Sequence, residues 1–455
     1  MGIDTRGEQE IAAYGGLGDP IIKVSDLPGG SQAGASGDIQ TGIPQGDMLD
    51  QFRVDVPGGF QAGSSGGSLK KPLAFLHLAD AFQRAAYFAD TVYENAGGNI
   101  LVSPMSLNLA LGLAAEGASG KTAEEMYGYL GGSDYGNFAK QYMDYADSLT
   151  READAEQGGY QGKYSFQYSI ANSVWVNSNR TLTEEYKNAA QDRFRAEVDS
   201  LDFLGNPSQA VNRINSWCED KTKGMIPRIL TDDSVSGDPA AILVNTVYFE
   251  SPWREVWKLE QHKFQALSGK TTGQEMLKDT LSDYYENKYA TAFGKAYFNG
   301  FEFIGILPKA EGDFRISDLD LQSLLESKET KYDVKALMPK LDYESATSPG
   351  EIVGLLRAQG LQLPFDSVNA EFDRMLEMGQ GENLYIDDIL QKCKIELDED
   401  GTRAAAVTAL IMQLNMAVTE PKEVKEVYLD RPFAFLIYDS IKEEIVFVGK
   451  VTEIK

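Results

Sequence analysis

Residues 402–419 are the stretch that most limits how this chain can fold. They contain one charged residue, Arg403, and neither glycine nor proline. Strand-like apolar runs lie on both sides, at residues 393–397 and 427–438. Connections of this length without turn residues are uncommon in compact domains and are usually functional or disordered. The chain therefore has either one more helix here or an exposed segment with its own function.

Two interpretations of this stretch fit its composition. Ala, Leu, Met and Gln are good helix formers, and Gly401 would then mark a helix boundary. In the second interpretation, alternate residues from Thr402 to Leu414 form an uncharged face that begins with small side chains. Because successive residues of a strand face opposite sides, this face could enter a sheet from the Gly401 end. Arg403 then lies on the opposite face.

The residues around this stretch resemble a known protein family. The pattern Glu-x-Gly-Thr-x-Ala-Ala-Ala, followed further on by Arg-Pro-Phe-Ala-Phe at residues 431–435, is similar to the reactive-centre loop of serpins. Serpins are suicide inhibitors of proteases, and we take this chain as a prokaryotic-type inhibitory member. The resemblance implies a loop hinge made of Glu399, Gly401, Thr402, Ala404, Ala405, Ala406 and Thr408.

Further serpin motifs occur in the family's order along the chain. Residues 99–106 resemble the segment beneath the centre of the main sheet, the shutter that opens when the loop inserts. The apolar strand of residues 241–249 reads as buried on both faces and carries the matching asparagine. Residues 215–226 resemble the helix that lies across that sheet and the turn after it. The resemblance implies a shutter made of Ser103, Ser106, Asn245 and Gln391.

Two positions depart from the family pattern. Serpins usually have a histidine at the place of Gln391, where it hydrogen-bonds the shutter asparagine and serine. A glutamine side chain still donates and accepts hydrogen bonds, so we expect the network to persist without a protonation switch. The second departure is Arg403, where glutamate is more usual. We expect Arg403 to stay solvated, because it lies on the opposite register near the end of the sheet.

The resemblance implies an α+β serpin-like fold with about three β-sheets, about eight to nine helices and an exposed reactive-centre loop. It covers residues 73–455, with the loop at about residues 399–426. Residues 1–72 are rich in Gly, Ser, Asp and Pro, which predicts a disordered extension, with a partner-binding tail as the alternative. We expect a polar loop over residues 148–163. No signal peptide is visible, although the family favours a secreted or cell-surface location.

Composition excludes several classes of function. A net charge of −27 disfavours binding to nucleic acid or to anionic membranes. Two histidines and two cysteines argue against a zinc site at the usual spacings and against a disulfide-dense scaffold. No apolar run is long enough to predict a membrane span. No catalytic constellation or phosphate-binding loop is visible, so we expect no enzyme, no cofactor and no metal.

The resemblance implies a suicide inhibitor of serine-type endopeptidases. The target protease would form an acyl-enzyme with the loop, and the cleaved loop would insert into the main sheet. The expected product is a covalent one-to-one complex with a monomeric, metastable inhibitor. The alternatives are a non-inhibitory serpin that acts as carrier, chaperone or protease substrate, and an enzyme or adhesion protein of another fold.

The family's loop spacing places the reactive bond near Asn415 and Met416. The candidate window is residues 412–419, and its central residues are Leu414, Asn415, Met416 and Ala417. No lysine or arginine lies between Arg403 and Lys422. A trypsin-like pocket would find no cation there to pair with its aspartate. This predicts targets of the elastase, chymotrypsin or subtilisin type, or papain-like cysteine proteases.

Overall fold

The computed structural model describes residues 78–149, 151–155, 162–235, 239–297, 300–377, 379, 383–402 and 422–454. The predicted extension of residues 1–72 lies outside them. So do residues 403–421, which include most of the hinge and all four residues predicted at the reactive bond. The predicted boundary near residue 73 and those loop residues therefore stay predictions.

Eight α-helices occur within the described residues. In chain order they are α1 Leu78–Ala96, α2 Pro104–Ala115, α3 Gly120–Leu130, α4 Tyr135–Leu149, α5 Glu184–Phe194, α6 Pro207–Lys221, α7 Leu321–Glu326 and α8 Glu351–Ala358. Helix α2 begins as its sequence predicts: Ser103 is the N-cap and accepts a hydrogen bond from the Ser106 amide, and Pro104 follows it. The chain leaves α1 through Gly97 and Gly98, both at positive φ, which glycine adopts without strain.

The strands form three sheets. The first nine strands are β1 Ile100–Val102, β2 Arg151–Ala155, β3 Gly162–Asn177, β4 Glu197–Leu201, β5 Ala241–Pro252, β6 Lys258–Gln265, β7 Thr271–Leu281, β8 Asp283–Glu286 and β9 Ala290–Ala296. The others are β10 Phe301–Pro308, β11 Asp333–Pro339, β12 Leu341–Ala346, β13 Lys392–Leu397, β14 Gly401–Thr402, β15 Val424–Tyr428, β16 Phe433–Asp439 and β17 Glu444–Val451.

We call the largest of these the main sheet. Its strand order is β12-β13-β14-β5-β3-β2, with β4 also paired to β3. The second sheet has the order β1-β17-β16-β10-β9-β8, and the third sheet has the order β15-β11-β7-β6. Helix α2 contacts both β5 of the main sheet and β17 of the second sheet. The α+β architecture with three sheets and eight helices agrees with the predicted serpin-like fold.

The second sheet forms much of the core. Strands β16 and β17 are buried along most of their length, as their apolar sequences predict. The rings of Phe303 and Phe435, on neighbouring strands, stack with their centroids 5.2 Å apart. On the other side of the main sheet, α6 packs Ile214 and Trp217 against Trp175 and Val244. The main sheet is thus covered on both faces, by α2 on one and by α6 on the other.

Two local predictions were wrong. The expected polar loop of residues 148–163 contains β2, which pairs with the start of β3. That strand depends on a free sheet edge, which its polar sequence does not reveal. Strand β5 is only half-buried along its first half, although its sequence reads as buried on both faces. Among the described residues no strand pairs with one edge of β5 along this half, so its apolar side chains there are less covered.

Candidate functional site

The main sheet is open between β5 and β13. Both strands run antiparallel to β14, and in the described part of the chain they are joined only through it. Leu397 of β13 lies opposite Thr402, and Thr402 lies opposite Ser251 of β5. Beyond Thr402 a cavity lies between the two strands. We call this space the slot.

Most of the side chains that line the slot are apolar, as they are around a strand in the interior of a sheet. Val247 and Phe249 of β5 line one wall, and Ile395 of β13 lines the other. Ile437 and Phe447 of the second sheet close it from below. Across the slot, the two parallel strands present backbone groups that an antiparallel strand could pair with. Within the described residues, no strand lies between these facing edges of β5 and β13 beyond Thr402.

Thr402, a predicted hinge residue, is part of the main sheet. Its exposed fraction is 3%, and its Oγ1 lies 2.6 Å from the Tyr297 hydroxyl. The Tyr297 ring stacks on Trp253 with the centroids 4.2 Å apart. The Trp253 indole N–H donates to the Asp398 carbonyl at 2.9 Å. An aromatic pair thus holds the start of the loop at the mouth of the slot.

A tight turn joins β13 to β14. The Asp398 carboxylate accepts hydrogen bonds from the backbone amides of Asp400 at 3.0 Å and Gly401 at 3.2 Å. The Asp398 amide donates to the Gly401 carbonyl at 2.9 Å. Such side-chain-to-backbone bonds are a standard way to fix a turn. The turn sets the register in which β14 enters the sheet.

Charges around this turn are mostly negative. Lys340 pairs with the Glu399 carboxylate at 2.6 Å. Partial burial raises the pKa of Glu399, but the hydrogen bond and charge of Lys340 outweigh it and leave the pKa below its ordinary value. Burial, together with the charges of Asp398 and Glu399, raises the pKa of Asp400. Lys340 is therefore the cation that balances this acidic turn.

The four predicted shutter residues form one connected network beneath the slot. Gln391 accepts from the Ser103 amide at 2.8 Å and donates to the Ser103 carbonyl at 2.9 Å. Ser106 donates to the Asn245 side chain. The Ser106 amide in turn donates to Ser103 Oγ at 3.3 Å. The link from Gln391 to Asn245 therefore runs through Ser103 and Ser106.

Sequence reasoning missed one member of this network. Asn245 Nδ2 donates to the side-chain oxygen Oδ1 of Asn172 at 2.7 Å, and Asn172 Nδ2 donates to the backbone carbonyl of Phe194 at 2.8 Å. Asn172 and Asn245 lie directly opposite each other on β3 and β5. The available signal was an asparagine inside each of two apolar strands, since buried amides need hydrogen-bond partners. Tyr297, which holds Thr402, has no such sequence signal.

We expect a Gln391→His variant to acquire a pH dependence that the native protein lacks. A histidine buried here is disfavoured in its charged form, so its folded-state pKa falls below the ordinary value of about 6.5. The unfolded chain then binds the proton more readily. Stability is complete above about pH 6.5 and is lost below it, by about 1.4 kcal/mol for each unit of pKa shift.

The measurement is the thermal midpoint of the native protein, Gln391→His and Gln391→Asn from pH 8 to pH 5. Gln391→Asn is the control, because it disturbs the same hydrogen bonds without a titrating group. Parallel curves for the two variants over this range would show that residue 391 does not sense the buried environment.

Neither cysteine has the character of a nucleophile. Cys218 of α6 and Cys393 of β13 are both free and buried. Burial raises the pKa of each thiol to about 12. Thiols of this kind stay protonated at neutral pH and act as small apolar side chains.

Among the described residues, no group of three or more His, Cys, Asp or Glu side chains could hold a metal ion. No helix in the same residues has the length and apolar character needed to cross a membrane.

Comparisons with known proteins identify the family of this chain. The family model described as serpin, serine protease inhibitor, matches residues 69–454. Serpin-ZXA of Oryza sativa subsp. japonica is 29% identical over 391 residues, which cover 83% of this chain and 94% of that protein. An uncharacterised serpin-like protein of Thermococcus kodakarensis is 30% identical over 389 residues, which cover 80% of this chain and 83% of that protein.

Solved structures show the same fold. The native-state crystal structure of Tengpin, a thermophilic serpin, superposes with a TM-score of 0.68 at 27% identity, covering 82% of this chain and 94% of that one. The native stressed conformation of Arabidopsis AtSerpin1 superposes with a TM-score of 0.67 at 23% identity, covering 83% and 97%. The fold thus defines a class of protein with three sheets, in which the main sheet is open. This chain belongs to the serpin family, whose members are generally protease inhibitors.

Proposed function

We propose that this protein is a suicide inhibitor of serine-type endopeptidases and that it traps the acyl-enzyme by inserting its cleaved loop into the slot. The observation that supports this most directly is β14. Gly401 is paired with β5, and Thr402 is paired with both β5 and β13, at the mouth of a slot lined in part by Val247, Phe249 and Ile395. The chain beyond Thr402 continues with small uncharged residues at alternate positions.

In the proposed reaction, the protease supplies the nucleophile. Its serine oxygen attacks the carbonyl carbon of the reactive bond, and the leaving amine takes a proton from the protease's histidine. The C-terminal part of the loop stays in the third sheet through β15, which pairs with β11. The N-terminal part, now an ester with the protease, is free to enter the slot.

Insertion competes with hydrolysis of the ester. New strand hydrogen bonds and burial of apolar side chains favour insertion. The attached protease must move with the loop, which strains its active site and disturbs its oxyanion hole. Loss of oxyanion stabilisation costs the protease much of its rate, so the ester persists. This requires a native form that is kinetically trapped, with the inserted form lower in free energy.

We expect neutrophil elastase to form a stable one-to-one complex with this protein and trypsin to form little or none. The reason is the loop composition, which offers Leu, Met, Ala and Val but no Lys or Arg from residue 404 to residue 421. The measurement is a denaturing gel after mixing, with mass analysis of the released C-terminal peptide to locate the cleaved bond. We expect cleavage within residues 412–419.

The outcomes separate the inhibitor from its alternative. A band at the summed mass of inhibitor and protease identifies a covalent trap. Clean cleavage without that band, and no rise in the thermal midpoint of the cleaved product, would instead make the protein a substrate or carrier. Faster inhibition of trypsin than of elastase, with cleavage in the same window, would overturn the proposed target class. We also propose an extracellular or cell-surface location, where such proteases act.

A further inference from the structure

Glu250 is a nearly buried carboxylate beside the slot. Its exposed fraction is 7%, and it lies near the end of β5. Its Oε2 accepts from the Tyr248 hydroxyl at 2.8 Å and from Lys223 Nζ at 3.1 Å. Lys223 belongs to the turn that follows α6. A buried carboxylate is costly unless it is paired, so Lys223 is the cation that lets Glu250 be accommodated here.

The face on which Glu250 lies is the one that α6 covers. Val244, six residues earlier on β5 and therefore on the same face, packs against α6. Ser251, Leu397 and Thr402 lie opposite one another and are buried on the other face. Because side chains alternate along a strand, the residues next to these three face α6. On β13 that neighbour is Glu396, which accepts a hydrogen bond from Lys394.

The register of β14 identifies the residue that comes next. Gly401 lies opposite Pro252, and Thr402 lies opposite Ser251 and Leu397. If the strand continues into the slot in this antiparallel register, each further residue comes opposite the residue one position earlier on β5 and on β13. Residue 403 then comes opposite Glu250 on β5 and Glu396 on β13. Opposed residues in a sheet share a face and contact each other. The slot thus places two carboxylates on either side of residue 403.

Residue 403 is an arginine, which we expected from the sequence alone to stay solvated; the register offers it two carboxylates instead. We propose that Glu250 exchanges partners when the loop inserts, giving up Lys223 and pairing with Arg403, and that Glu396 takes part in the new pair. This inference rests on the proposed function, because it concerns the inserted form. A guanidinium has five N–H donors in a planar fork and can reach two carboxylates at once. Arg403 thereby stabilises the inserted strand, and insertion leaves no unpaired charge at Glu250.

If Glu250 exchanges partners, substitution of Arg403 should affect mainly the cleaved form, and substitution of Lys223 mainly the uncleaved form. The test uses the full chain before and after loop cleavage by elastase, with the thermal midpoint of each form as readout. We expect Arg403→Glu to leave the uncleaved midpoint unchanged and to lower the cleaved midpoint by several degrees. We expect Lys223→Gln to lower the uncleaved midpoint and to affect the cleaved midpoint much less, because Arg403 has replaced Lys223 there.

Charge reversal tests the pairing directly. Glu250→Lys should lower the cleaved midpoint, and the double variant Glu250→Lys with Arg403→Glu should recover most of that loss. The matched control is Glu344→Lys, the same charge change on β12 of the main sheet, where Glu344 pairs with Lys392 away from the slot. We expect this control to leave the effect of Arg403→Glu unaltered.

The outcomes distinguish this inference from the proposed function. If wild-type protein gains no stability on cleavage, the loop does not insert, and both proposals fall. If wild-type protein gains stability and traps elastase, but the cleaved midpoints of Arg403→Glu and wild type agree, the proposed function stands and the partner exchange is wrong. Failure of the double variant to recover stability would also overturn the pairing, because two independent charge effects would simply add.

Discussion

Thr402→Arg should convert the protein from an inhibitor of elastase into a substrate. Thr402 is buried and its hydroxyl lies against Tyr297, so a guanidinium at this position must either lose its hydration or pull β14 out of the sheet. Either result slows insertion, while hydrolysis of the acyl-enzyme is unchanged. Because each 1.4 kcal/mol of barrier changes a rate about tenfold, we expect at least a tenfold rise in inhibitor consumed per protease inactivated.

The measurement is the amount of inhibitor needed to abolish a fixed amount of elastase activity, together with a denaturing gel. Thr402→Ser is the conservative control, because it keeps a small hydroxyl side chain, and it should still trap. Val424→Arg places the same new charge on β15, at a residue with an exposed fraction of 49%, and should also trap. A Thr402→Arg variant that traps as efficiently as wild type would show that β14 does not lead insertion.

Trp253→Ala should destabilise the uncleaved protein by about 3–5 kcal/mol, the usual cost of removing a buried large aromatic side chain. The Trp253 side chain has an exposed fraction of 2%, stacks on Tyr297 and donates to the Asp398 carbonyl. Its loss leaves a cavity and releases the turn that carries the hinge. The measurement is the urea concentration at which the uncleaved form unfolds.

Two controls divide this effect into its parts. Trp253→Phe keeps an aromatic ring but removes the indole N–H, and should cost about 1 kcal/mol or somewhat more. Tyr289→Ala removes an aromatic ring whose residue has an exposed fraction of 42%, and should change stability by less than about 0.5 kcal/mol. A Trp253→Ala effect as small as that of Tyr289→Ala would show that the Trp253–Tyr297 stack does not hold the hinge.

The fold could be predicted because its signals are local and repeated. Helix α2 has its cap and proline, β16 and β17 have long apolar runs, and the resemblance adds several motifs in a fixed order. The contact among the four predicted shutter residues could be anticipated for the same reason: Ser103 and Asn245 each lie within a recognisable motif. These predictions needed only the residues near each position in the chain.

What could not be predicted depends on pairing between distant strands. Asn172 joins the shutter only because β3 and β5 align it with Asn245. Tyr297 reaches Thr402 across 105 residues of sequence. The strand β2 forms because β3 offers it an edge, although its own sequence is polar. The residue pattern of one segment does not show which other segment it pairs with. These contacts could therefore be found only from the structure.

The two-residue strand β14 also bears on timing. Starting a new strand in a sheet is slow, because ends must be brought together and several backbone angles fixed before any bond forms. Here that first step is already made in the uncleaved protein, since Thr402 has partners on both β5 and β13 and Gly401 has one on β5. In the proposed mechanism, cleavage then has only to release the far end, and the remaining residues add one pair at a time. Insertion would thus compete with deacylation from a formed nucleus, and the outcome would be set by propagation along the slot.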